Sequence, residues 1–339
     1  MSRTKKDVSI SDVARKAGVS IATVSRVLNS NSNVIEETRA KVNAAMEELN
    51  YTKTAVRRLK PCNRDKLILV SIPALGHKLY NNLLLGIYNC MNHLDYFPVI
   101  SHSLKDKECE QKIYRMAIEN NFSGAILISP KVEAEDIALL SKHMPVVQCF
   151  DYIPVTGVSA IKIDDEQAAY DATNYLIEKG HRRIALITSV ERTTSSHNRE
   201  IGYKRALTNA DIPYNPSLLF ESPYDFDLNR EHVRDILSHS EEFDAVLCTG
   251  DYIAYRVLKE AEDMGISVPN ELSVMGFDDI KEYTMFKPEL TTVFQDAYSI
   301  GYYAASSILN QSIPDDKRSA IISNIEYRII ERESVSRRE

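Results

Sequence analysis

The 339-residue chain has no run approaching the roughly 18 apolar residues that a membrane span requires. Its opening stretch, MSRTKKDVSISD, is too polar for the apolar heart of a signal peptide, so a cytosolic protein is expected. Glycine is scarce: the 11 present form no GxGxxG, no P-loop and no GxSxG, and dinucleotide, nucleotide-phosphate and hydrolase-elbow readings lose their usual support. Five cysteines (Cys62, Cys90, Cys109, Cys149 and Cys248) are widely scattered without a CxxC, as expected of reduced thiols packed as small hydrophobes. The 8 histidines include no HExxH and no Cys/His cluster, so no metal or cofactor is expected. Scattered Ser, His and Asp residues make no catalytic site without geometry, and an enzyme is the minor alternative.

What is present is ordinary globular material, 44% hydrophobic and 26% charged, which excludes a disordered chain or a coiled-coil rod. The net charge of −7 argues against a simple basic nucleic-acid-binding domain until the chain is divided. Residues 1–60 carry 12 Lys and Arg against 6 Asp and Glu, whereas the remainder carries 29 against 42. A basic head precedes an acidic body.

The head reads as helices. In SISDVARKAGVSIATVSRVLN, Ile10, Val13, Ala14 and Ala17 fall at helical spacing, and Ser9 with Asp12 makes a capping-box-like start. Gly18 stops that helix and Ser20 is placed to cap a second, in which Val24, Val27 and Leu28 share one side. Two short helices around a glycine turn make a helix-turn-helix, whose second helix suits a DNA major groove. A third helix follows in EETRAKVNAAMEELN, with Val42, Ala45, Met46 and Leu49 inward and Glu36 and Glu37 loading its first turn. The competing reading is a helical oligomerisation domain; the local positive charge and the small, polar or basic outer face of the second helix favour DNA.

DVARKAGVSIATVSRVLN followed by EETRAKVNAAMEELNY closely resembles the DNA-binding head of the lactose/galactose (LacI/GalR) repressor family. The resemblance implies a homodimer, with a tetramer as a further option, on a pseudo-palindromic double-stranded operator. By position, Ile21, Ala22 and Arg26 match base-reading residues, and Thr23, Ser25 and Asn29 match residues that also touch backbone or neighbouring edges. Arg26 is the strongest of these, because a guanidinium reads guanine O6 and N7 together. A hinge over 51–64 is expected to become helical on DNA and wedge a leucine into the minor groove. Here it departs from the pattern: Lys53 replaces the usual proline and Leu59 arrives one residue early, with Val56 the other apolar group and Arg57 available to phosphate. A plain basic linker is the competing reading. Ile35 stands where the family has a capping serine before the third helix.

After Pro61, β-rich runs alternate with helical ones, which indicates parallel sheets covered on both faces. Weak repetition of one α/β plan predicts two subdomains around a cleft: a first over about 65–162 and 290–318, and a second over about 163–289 and 319–332. GHRRIALIT, REIGYKRAL, the stretch from CTGDYIAY to VMGFDD and PELTTVFQ resemble the family's regulatory domain, itself similar to periplasmic sugar-binding proteins. The expected fold class is therefore a small all-α helix-turn-helix head (1–50) on an α/β, two-subdomain, periplasmic-binding-protein-like body with parallel sheets (65–339).

The resemblance places effector contacts at Arg199, Asp251, Asp278 and Gln295, groups that suit a sugar, with a guanidinium donating and carboxylates accepting from adjacent hydroxyls. For Arg199 the alternative is an interdomain salt bridge, and for Asp278 a turn or helix cap. Gly250 stands where an asparagine is frequent, and His77, Lys78 and Leu79 replace a frequent Asn-Pro-Phe. His77 and Tyr80 are candidate cleft residues, Tyr80 by stacking on a sugar face; Asp151 and Ser195 are further candidates. The expected function is a sequence-specific repressor-type regulator controlled by a sugar or related metabolite. Control by a phosphorylated carrier protein is the alternative.

Overall fold

The chain divides between Cys62 and Asn63 into two separately packed units in a computed structural model that describes residues 10–28, 34–49, 66–92, 94–223, 229–280, 287–310 and 321–338. The side chains of Ile10, Ser11, Ala22, Ser25, Arg26 and Leu28 lie outside that description, as do Ser9, Asn29 and the whole 51–64 hinge with Val56, Arg57 and Leu59.

In the head, α1 (Ile10–Ala17), α2 (Ile21–Leu28) and α3 (Glu36–Glu48) enclose a small core of Val13, Ala14, Val24, Val27, Val42 and Ala45. Gly18 ends α1 in the left-handed region (φ 65°), which lets the Val19 N–H reach back 3.0 Å to the Ala14 carbonyl and satisfy a helix-end acceptor. Ser20 Oγ accepts from the Thr23 N–H at 3.1 Å, the cap that the sequence leads one to expect. At α3 no side chain caps the first turn; Ile35 is exposed there, and Glu36 and Glu37 supply the negative charge that the helix dipole favours.

The body holds two six-stranded sheets of the same plan. The first orders β11-β5-β4-β3-β1-β2, from β1 (Leu67–Ile72), β2 (Phe97–His102), β3 (Gly124–Ile128), β4 (Val146–Cys149), β5 (Ser159–Lys162) and β11 (Ile322–Asn324), all parallel. The second orders β12-β10-β9-β8-β6-β7, from β6 (Ile184–Ser189), β7 (Leu219–Ser222), β8 (Ala245–Cys248), β9 (Ser273–Asp278), β10 (Thr291–Gln295) and an antiparallel β12 (Tyr327–Ile330). In each sheet the strand order reverses beside the first strand, which is where doubly wound folds open a crevice at the carboxyl ends.

On the first sheet, α4 (Lys78–Met91) packs against α11 (Ala297–Asn310); on the second, α7 (Asp165–Glu178) packs against α8 (Thr194–Asn209). Both pairs approach through glycine. A Cβ on Gly86 would stand 2.1 Å from the Tyr298 carbonyl oxygen, and one on Gly202 would stand 2.0 Å from that of Glu166. Such contacts set the helix spacing, because a backbone oxygen cannot swing aside.

Two boundaries differ from the sequence expectation. Residues 291–295 do not return to the first subdomain but form β10, paired with β9 and β12 in the second sheet. The crossing follows Gln295, and residues 322–324, expected in the second subdomain, instead form β11 beside β5 in the first sheet before β12 returns to the second. A short apolar strand carries no local mark of which sheet it joins; only its neighbours decide.

Candidate functional site: the cleft and the head

In the head, α2 is held by its buried Val24 and Val27, and Ile21 stands exposed at its start. The Thr23 hydroxyl lies 2.9 Å from Ser20 Oγ, so it shares the helix cap. The remaining expected DNA contacts, Ala22, Ser25, Arg26, Asn29, Val56, Arg57 and Leu59, fall outside the described side chains.

In the body, a cavity of about 290 Å³ opens where the carboxyl ends of both sheets meet, and His77, Tyr80, Asp151, Ser195, Arg199, Asp278 and Gln295 all line it. Its floor is polar. Arg199 on α8 is buried and fixed: Nε and Nη2 donate to Asp165 Oδ1 at 3.0 and 2.9 Å, and Nη1 donates to the Thr249 carbonyl at 2.6 Å. The guanidinium also lies over the Phe277 ring, 3.6 Å from its centroid. Asp165 begins α7 in the same subdomain as Arg199, so this salt bridge does not join the two subdomains. Burial pushes the Asp165 carboxyl upward and the Arg199 charge opposes it.

Asp278 ends β9 with φ 114°, and Asp279 follows at φ 54°. Two successive non-glycine residues in the left-handed region are strained backbone held by the surrounding sheet. The turn aims Asp278 into the cavity, where Oδ1 accepts from Gln295 Nε2 at 2.6 Å and lies 4.0 Å from Arg199 Nη1. The turn and the cleft position are thus properties of one residue.

The opposite wall is aromatic. His77 stacks on Tyr80 with ring centroids 4.4 Å apart, Tyr252 tilts against His77 at 4.9 Å, and Phe150 lies 6.0 Å from Tyr80. Burial, aided by the Lys105 charge, holds His77 at about 3, so the ring is neutral. Burial and then Asp151 push the Tyr80 phenol above its ordinary range, which keeps its proton available for donation. The two halves of the cleft are tied together: Asp151 Oδ1 accepts from the Ser195 N–H at 2.8 Å, and Tyr252 Oη accepts from the Lys78 N–H at 3.1 Å.

Asp251 corrects the expectation. It does not line the cavity; it is fully buried beneath it, with Oδ2 accepting from the Ile280 N–H and Oδ1 from the Thr292 hydroxyl, both at 2.7 Å. It fastens α10 (Asp251–Met264) to β10 and to the segment after Asp278, and so positions the site from below. Burial, with Asp278 nearby, pushes its carboxyl well above the usual carboxylate range. A raised folded value means that the native state holds the proton more tightly, so this group disfavours folding increasingly as pH rises past about 4. Asp251→Asn keeps the shape and an acceptor without the charge. The variant is expected to gain melting temperature relative to wild type between pH 4 and 7, checked by calorimetry across that range; a constant difference would contradict the assigned burial cost.

Lys105, Lys131 and Glu191 also line the cavity and escape sequence reasoning. Charged residues in loops after strands look like solvated surface until the fold brings them together.

Known proteins place these two parts together. The description "Bacterial regulatory proteins, lacI family" matches residues 9–53, and "Periplasmic binding protein-like domain" matches residues 173–335. The chain is 34% identical over 327 residues to catabolite control protein A of Priestia megaterium, covering 95% of this chain and 98% of that protein. It is 33% identical to the HTH-type transcriptional regulator RegA of Clostridium saccharobutylicum over 96% of this chain and 98% of that protein. Among solved structures, the lac repressor dimer bound to operator and the anti-inducer ONPF superposes with a TM-score of 0.70 at 25% identity, covering 98% of this chain and 100% of that one. The chain therefore belongs to the LacI family of bacterial transcriptional regulators, with a helix-turn-helix DNA-binding head followed by a periplasmic-binding-protein-like domain.

Proposed function

We propose that this regulator binds operator DNA as a homodimer and that its affinity is set by a small polyol of the sugar class held between the two halves of the body. The observation that carries the reading is the cavity itself. A fixed carboxylate, an amide and a guanidinium face a stacked wall of neutral His77 and Tyr80, which suits a molecule with hydroxyls on its rim and C–H groups on its face. Bonds across the cleft at Asp151 and Tyr252 hold its two halves together, and a ligand acts by binding the arrangement with these bonds made more or less tightly than one with them broken. Such control needs only a difference in affinity between those states.

The dimer has support on the surface. Leu85 and Tyr88 stand exposed on α4, and Phe97 and Ile100 stand exposed on β2, the edge strand of the first sheet. An apolar helix face beside an uncovered sheet edge invites a second copy, and the related lac repressor structure is a dimer on its operator.

The test is a melting-temperature screen of monosaccharides and disaccharides on the full chain. A binder at a hundred times its Kd adds about 2.7 kcal/mol, which raises the midpoint of a domain this size by about 4–5 °C. If no sugar shifts the midpoint while operator binding is intact, the cleft is not a sugar sensor.

A further inference from the structure

The positive charges of the cleft are already engaged by protein groups. Arg199 is committed to Asp165 and the Thr249 carbonyl. Lys105 and Lys131, from loops after β2 and β3 in the first half, both face one carboxylate from the second half: Glu191 Oε1 bonds Lys105 Nζ, and Oε2 lies 3.7 Å from Lys131 Nζ. The placement is built rather than incidental. Leu104 and Lys105 are successive residues in the left-handed region (φ 57° and 59°), and the Lys105 N–H is anchored 3.0 Å from the Pro73 carbonyl. Behind Lys131, its own N–H donates to the buried Glu110 carboxylate at 2.9 Å, which fixes that loop too.

The remaining charged lining is negative. Asp151, Glu191 and Asp278 converge on the cavity that holds Tyr80. An anionic ligand could pair with Lys105 and Lys131 only by displacing Glu191, and Asp151 and Asp278 would repel it. A neutral polyol offers hydroxyl donors to Asp151 and Asp278, and it leaves Glu191 in place across the cleft.

We infer that Glu191 is a specificity-determining residue that ties the two halves of the body together through Lys105 and Lys131, admits neutral polyols and excludes sugars bearing a phosphate or carboxylate. This rests on the sugar-class reading above and narrows it. Glu191 supplies the carboxylate that both ammoniums share, so removing its charge leaves a pair of lysines that an anion can bridge.

The experiment uses the full chain and calorimetric titration with a neutral aldose panel and the matching terminal phosphate esters, glucose with glucose 6-phosphate and ribose with ribose 5-phosphate among them. Wild type should bind at least one neutral sugar and bind its ester at least about tenfold more weakly. Glu191→Gln should weaken the neutral sugar several-fold and strengthen the ester about tenfold. Glu191→Lys should open the cleft, measured as an increase in radius of gyration by solution scattering, and Lys105→Glu added to it should restore closure. An ester that binds wild type as tightly as its neutral parent, or a ratio that Glu191→Gln leaves unchanged, overturns the inference while the cleft stays a sugar site. Absence of any binding, neutral or anionic, to both proteins overturns the sugar reading and this inference with it.

Discussion

Asp278→Ala is expected to weaken the cleft ligand about a hundredfold, because it removes a buried acceptor and leaves the ligand hydroxyls and the Gln295 amide without their partner. Its stabilising effect in a melting scan should disappear at concentrations that saturate wild type. Alanine also tolerates φ 114° poorly, so part of any loss of stability in the free variant belongs to the backbone. Asp278→Asn separates the two contributions: asparagine accepts the left-handed conformation, so its free melting midpoint should stay near wild type while ligand binding drops about tenfold. If both variants bind sugar as wild type does, Asp278 serves only the turn.

The second large effect lies in the other unit. Arg26→Ala should cost about 1–3 kcal/mol of operator discrimination, seen in gel shift as a roughly tenfold to hundredfold loss of specific binding. Non-specific binding should survive, because it comes from the 12 Lys and Arg of the first 60 residues, and it should fall steeply as salt rises. The body should melt unchanged. Normal operator affinity in this variant would remove Arg26 from sequence reading.

Much of this was legible in the residues because the signals are local. Gly18, Ser20 and the apolar spacing of Val13, Val24 and Val42 are short-range patterns, and each does in the fold what its chemistry suggests. Strand and helix alternation is equally local, so the two α/β halves follow from it. What failed was the assignment of partners at a distance. Thr291 to Gln295 has the pattern of a strand in either sheet, and pairing with β9 decides the matter. Asp251 sits within a motif that faces the cleft, yet as the first residue of α10 it turns its carboxylate down toward Thr292. Glu191, Lys105 and Lys131 are separated by many residues and have no periodicity; only the closing of the two halves makes them one group.

The net charge of −7 shows the same point, since it averages a basic head with an acidic body and describes neither.

Occupancy of the cleft is expected to change the affinity of the head for DNA. The direct measurement is operator affinity by fluorescence anisotropy at fixed salt, with and without a saturating cleft ligand, for wild type and Asp278→Ala. Wild type should change by about 5-fold to 150-fold, in either direction, and the variant not at all. Equal operator affinity with the wild-type cleft filled and empty would contradict this expectation.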